Sequence, residues 1–216
     1  MHKKFIPLLV VFVLCGTLAM TGTTLFAASG VNDTLDQTEP VFPEGLFVSS
    51  DVCIACHNNL TDDSGTDVSF VTLWERSTMG LAAVDPYWRA SVRKETVANP
   101  PDMTGTIQDI CATCHFPMAR TTLNAEGELA SVLGEDGLVS DDHPLNSLAL
   151  EGVSCLLCHQ VQDIHLGEEE SFDGGYVIDF TTPIGERASF GSFEVSPEMA
   201  TVMTAATGFV PTQGSH

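Results

Sequence analysis

Basic side chains are scarce in this chain: 8 Lys and Arg stand against 29 Asp and Glu in 216 residues, a formal charge of −21 at pH 7. So acidic a molecule repels phosphate backbones, which excludes nucleic acid as a partner. Long apolar runs are scarce too. The one present, Phe5 to Met20, follows the basic start Met1-His2-Lys3-Lys4 and is interrupted by Pro7, Gly16 and Thr17. Small residues come next, at Ala27, Ala28 and Ser29. Charged, apolar and small segments in that order form a secretory signal over residues 1–28, cut near Ala27 or Ala28. At about 16 residues the run is short of the ~20 that a spanning helix needs; an uncleaved anchor extended through Phe26 is the alternative, and only then would a membrane hold the chain. Cys15 lies inside the run after Leu14, where lipid attachment would want a small residue, and reads as part of the leader. The rest of the chain is two charges more negative than the whole, because the leader removes Lys3 and Lys4 and no acid.

Spare cysteine is the third shortage. Of seven cysteines, all but Cys15 fall in one pattern that occurs three times: Cys53-Ile54-Ala55-Cys56-His57, Cys111-Ala112-Thr113-Cys114-His115 and Cys155-Leu156-Leu157-Cys158-His159. None is left for a structural disulfide. Two cysteines three apart share one face of a helical turn, where both thiols can bond the vinyl groups of one haem while the next residue offers imidazole to its iron. A single chance match in 200 residues has odds of about one in a thousand, so three are not chance. Paired cysteines also build tetrahedral zinc sites, but three pairs leave one over, and zinc gives no reason for a histidine after each. The residues thus predict three haem c groups and their irons, with thioethers at Cys53, Cys56, Cys111, Cys114, Cys155 and Cys158 and proximal ligands His57, His115 and His159. Export agrees with thioether attachment, and the place is the periplasm or the exterior of the cell.

Beyond the leader, fewer than about 190 residues suit one domain. We expect a mainly α chain with extensive loops and few short strands, wrapped around three covalently attached haems, because large apolar discs replace much of a side-chain interior. A surface tether is expected over 29–50 and the haem domain over 51–216. Apolar spacing predicts a helix over 68–83. Asp85-Pro86 predicts an N-cap for a helix ending near Ala98, before Asn99-Pro100-Pro101. Thr106 and Asp109 resemble a capping box for a short helix at Cys111–His115, closed by Phe116-Pro117. Residues 58–67 and 121–142 read as outer loops, the second half of 145–159 as helix, 175–180 as a short strand and 196–206 as a last helix. Five of the six basic residues outside the leader, Arg76, Arg89, Arg93, Lys94 and Arg120, lie amid the first two motifs, while Arg187 stands apart. Either they pair with haem propionates or they are ordinary solvated cations.

Six-coordinate iron needs a second axial ligand. His2 leaves with the leader, so His143, His165 and His216 remain for three irons, with the Met79 thioether as a fourth candidate. Asp141 or Asp142 could orient the His143 ring. His165 is six residues past His159, too near to turn onto the same iron, and would serve a neighbour. His216 is terminal and would require the tail to fold back.

The segments Trp74 to Ala82, Asp85-Pro86-Tyr87-Trp88, Cys111 to Arg120 and Gly152 to Val161 together resemble exported bacterial multihaem c-type cytochromes. The group is the broad one around hydroxylamine oxidoreductase and its electron-accepting tetrahaem cytochrome, and the resemblance covers about residues 45–216. It implies that Met79 occupies a place where a Met or His can face the first haem. It also implies that relatives continue past a segment like Pro211 to His216 into further haem motifs, so the chain is either a short paralogue or a piece of a larger protein. Two functions compete. One is a relay of electrons between other redox proteins acting as donor and acceptor. The other is catalysis on a small nitrogen or sulfur compound at an open iron. The first is favoured: no motif replaces its histidine by the lysine of related nitrite reductases, only Tyr87 and Tyr176 are available for the tyrosine crosslink of hydroxylamine oxidoreductases, and four candidate ligands leave no forced opening. A third, minority reading is an oligomer, a filament in which His216 ligates a haem of the next subunit.

Overall fold

The computed structural model describes residues 45–214. The leader, Cys15, the first part of the expected tether and His216 lie outside the described residues. Helices hold about 44% of what is described, with few short strands, in keeping with a mainly α chain. Among the described residues no helix is long and apolar enough to cross a membrane.

The helices are α1 (Asp51–Ile54), α2 (Phe70–Glu75), α3 (Pro86–Ala98), α4 (Thr104–His115), α5 (Pro117–Ala125), α6 (Asn146–Leu150), α7 (Cys155–Gln160) and α8 (Pro197–Thr207), with 3-10 turns at Pro101–Met103 and Glu169–Gly174. Caps explain several boundaries. The Asp85 carboxylate accepts from the Tyr87 amide at 2.8 Å with Pro86 at the first helical position, and Ser196 caps α8 through the Met199 amide. Helix α8 ends on Gly208, whose φ of +79° is the left-handed turn that glycine takes without a Cβ penalty. It forms the crossover between two parallel strands, β1 (Ala188–Gly191) and β2 (Val210–Gln213), paired with Ala188 opposite Val210.

Two apolar clusters make the interior. The first joins Trp88 and Val92 of α3, Ala112 of α4, Phe116, Ala119 and Leu123 to the 130–138 loop. The second gathers Phe47, Val48, Met118, Leu156, Leu157, Val161, Ile178 and Phe209. Helix α5 serves both, with Ala119 and Leu123 facing one and Met118 the other.

Several expectations are corrected. The helix expected over 68–83 stops at Glu75, because both the amide and the hydroxyl of Ser77 donate to the Trp74 carbonyl and turn the chain. No capping box forms at Thr106: the Pro101–Met103 turn feeds α4 directly at Thr104, and the Asp109 carboxylate is taken by Arg120 and the Ala130 amide. Phe116-Pro117 closes α4 but also opens α5, which runs into the stretch read as loop; proline at a first helical position serves both purposes. Gly152, at φ +65°, divides 145–159 into α6 and α7. The strand expected over 175–180 is reduced to one bridge, Val161 to Ile178, because Asp179 binds the Thr181 and Thr182 amides and turns the backbone away. The end of the expected tether is interior: Phe47 and Val48 are buried in the second cluster.

Candidate haem-attachment sites

Each of the three cysteine motifs is one helical turn. In the first, the Cys56 and His57 amides both donate to the Cys53 carbonyl, at 3.2 and 2.9 Å, carrying the turn past the end of α1. The second closes α4 and the third is α7 itself. In every motif the leading cysteine is half-buried against the protein and the second is exposed, and all six thiols are free. The pairs therefore present one thiol at the wall and one at the rim of the same face.

The imidazoles are prepared differently. The His115 Nδ1 lies 2.7 Å from the Ala82 carbonyl, and a carbonyl only accepts, so this nitrogen carries the proton and Nε2 keeps its lone pair. Trp88 fixes the ring plane, stacking on it at 4.0 Å between centroids and 8° between planes, and is itself held edge-on by Phe116. His159 Nδ1 likewise donates to a carbonyl, that of Phe190 in β1, so the small parallel sheet buttresses the third motif. The His57 ring meets Phe70 edge-on, at 5.9 Å.

The distal candidates His143 and His165 differ in what faces Nδ1. The His143 Nδ1 accepts from the Leu145 amide at 3.0 Å, so the neutral ring carries hydrogen on Nε2, and the group that orients it is this amide rather than Asp141 or Asp142. In His165, which is exposed and at φ +54°, Nδ1 faces the Glu168 carboxylate at 3.1 Å. Met79 is half-exposed, and its carbonyl accepts from the Val153 amide at the approach to the third motif. That close approach depends on Gly152, where a Cβ would stand 2.6 Å from the Met79 oxygen.

No family model, curated protein or solved structure matches the chain.

The thiols show their surroundings in their acidity. Cys53 and Cys155, 102 positions apart in sequence, interact thiol to thiol: donation to Cys155, then burial, pushes Cys53 up, while the same hydrogen bond holds Cys155 down to about 7. Burial raises Cys111. Tyr176 is raised by burial against the pull of its hydrogen bond with Thr121, and the thiols of both Cys114 and Cys158 lie close enough to push it further.

These residues fit the haem that the motifs imply. Paired thiols on a helical face sit beside an imidazole with a free Nε2, and apolar side chains stand exposed around them, among them Phe70 beside His57, Ile110 one turn before Cys114, and Phe172. An apolar group bonded to the thiols would cover such side chains. The expected role of the basic residues narrows. Arg120 is bound to Asp109 at 2.8 Å, Arg187 donates to the Leu46 and Thr182 carbonyls, and Lys94 pairs with Glu95. A cleft of about 450 Å³ between α1, α2 and α6 has Ile54 of the first motif on its wall and the carboxylates of Asp51, Glu75 and Glu151 around it.

Proposed function

We propose that the chain is an exported c-type cytochrome, of the multihaem group that its motifs resemble, which relays electrons through three covalently attached haems. When bound, those groups supply reversible one-electron chemistry at iron. The chain's own part is to hold each by two thioethers and an imidazole, and to exclude water on the buried side. The observation that carries the proposal is the set of three helical thiol-pair turns, two of whose histidines have Nδ1 tied to a backbone carbonyl, leaving Nε2 for a metal. Its strongly acidic surface suits redox partners that dock through basic faces. The test is the intact mass and the reduced-minus-oxidised spectrum of the protein secreted from a host that attaches haem. Three haems per chain with low-spin bands are expected; bare polypeptide ends the proposal.

One observation favours the second reading, catalysis at an open iron. With the His143 Nε2 protonated, only Met79 and His165 remain prepared as distal ligands among the described residues. Small anions would be repelled by the carboxylates of the cleft beside the first motif, so this reading fits a neutral or cationic nitrogen compound better. A high-spin component that binds cyanide would support it.

A further inference from the structure

Contacts between the three motif turns do not follow their order in sequence. The first and third turns are joined at three places. Val52 and Cys53 lie against the same apolar cluster as the third turn. The Ser50 amide, just before α1, donates to the Glu151 carboxylate, just before α7, at 3.0 Å. The Gln160 side chain, at the far end of α7, donates to the Leu46 carbonyl at 3.1 Å.

The second and third turns are joined by other elements. The Ser154 hydroxyl, at the N-cap of α7, donates to the Met118 sulfur of α5, the helix that directly continues the second motif. Residues 174–178 then run from one turn to the other. Gly174 is pressed so closely on Thr113, inside the second motif, that a Cβ there would fall 2.4 Å from the Thr113 methyl. Val177 accepts from the Gln162 amide, and Ile178 pairs with Val161, at the exit of the third. Tyr176, within this segment, hydrogen-bonds Thr121 of α5. The first and second turns, by contrast, belong to different apolar clusters, with Cys53 against one and Cys111 against the other.

We infer that the three attachment turns stand in the spatial order first, third, second, so that the group carried by Cys155 and Cys158 is the middle member of the relay. This rests on the function proposed above. The first-to-third link is made by the Ser50–Glu151 and Leu46–Gln160 hydrogen bonds and the shared apolar cluster, and the second-to-third link by Ser154 on Met118 and by the 174–178 segment.

The test uses three variants of the secreted holoprotein, each losing one motif: Cys53→Ala with Cys56→Ala, Cys111→Ala with Cys114→Ala, and Cys155→Ala with Cys158→Ala. Intact mass counts the haems, and electron paramagnetic resonance of the oxidised forms reads spin coupling between those that remain. Loss of the first or second motif should leave a coupled pair. Loss of the third should leave two uncoupled spectra. Coupling that persists without the third motif, or vanishes without the first, overturns the order. Should a deletion fail to fold, His57→Met, His115→Met and His159→Met keep both thioethers and alter one iron at a time. His159→Met should then shift the reduction steps of both other haems, and His57→Met those of one; a shift of the second-motif haem by His57→Met equal to that of the third overturns the order as well. A parent chain without haem mass sinks the proposed function itself, whereas three haems with the wrong coupling sink only the order.

Discussion

Trp88 offers the sharpest test of how the second motif is held. Its indole is buried, lies flat on the His115 ring at 4.0 Å and meets Phe116 edge-on at 5.0 Å and 88°. Each such ring pair is worth about 0.5–1.5 kcal/mol beyond area burial. Emptying a buried tryptophan site to alanine costs about 3–5 kcal/mol in all, since the cavity collapses only in part. Trp88→Phe keeps a ring face on the imidazole and much of the volume, and should cost about half as much or less. Guanidinium unfolding of the holoprotein, compared with parent, gives the stability change. A second reading isolates the site: with the indole gone the imidazole can tilt away from the Ala82 carbonyl, so the reduction step of the second-motif haem should move while that of the first stays. Two results refute this reasoning. Trp88→Ala could cost under about 1 kcal/mol, contrary to the cavity argument, or all three reduction steps could shift equally, in which case the ring is only generic core.

The Asp109–Arg120 pair should behave as a buried ion pair. Asp109→Ala strands the guanidinium and the Ala130 amide and should destabilise by about 3 kcal/mol, while Asp109→Ala with Arg120→Leu should recover part of that loss in a double-mutant cycle; an additive cycle refutes the coupling. Gly152→Ala puts a methyl against the Met79 oxygen at a positive φ, so the yield of fully loaded holoprotein should fall severalfold, and an unchanged yield removes Gly152 from the assembly of the third motif. Asp179 is held well below the ordinary carboxylate range, first by the Thr182 side chain and then by Thr181. Because its folded value is lower than its unfolded one, its contribution is complete above the usual aspartate pKa of about 4 and is lost only as pH falls through the lower folded value. Carboxyl carbon NMR should therefore show Asp179 titrating below the other aspartates in the chain; titration alongside them sinks the prediction.

What could be read from the sequence was whatever depends on neighbours along the chain. Asp85-Pro86 and Ser196-Pro197 start helices because cap and proline act within one turn. The Asp62 to Asp67 stretch is a solvated turn because Asp62 collects the Ser64 and Thr66 amides within four residues. The misses needed partners from far away. Strands β1 and β2 contain glycine, serine and proline and carry no alternation; they pair because α8 returns the chain beside itself. Helix α5 was hidden by a proline whose two roles look alike in a sequence. Phe47 and Val48 looked like a surface tether because their burial is completed by α7 and Phe209.

The same distinction separates the two halves of each proposed metal site. A proximal histidine follows its cysteine pair, so the covalent chain sets its place, and only the fixing of its tautomer, by Ala82 and Phe190, had to wait for the fold. A distal ligand is chosen by tertiary structure, and proximity to acids along the sequence misled. Asp141 and Asp142 precede His143, yet the ring turns to an amide and presents a protonated Nε2; His165 also has an acid two places before it, Asp163, and its Nδ1 faces Glu168 in the following turn. An amide can only donate and an ionised carboxylate can only accept. The identity of that one neighbour therefore decides which imidazole nitrogen keeps its lone pair, and in the proposed cytochrome this criterion places His165 with His115 and His159 and sets His143 apart.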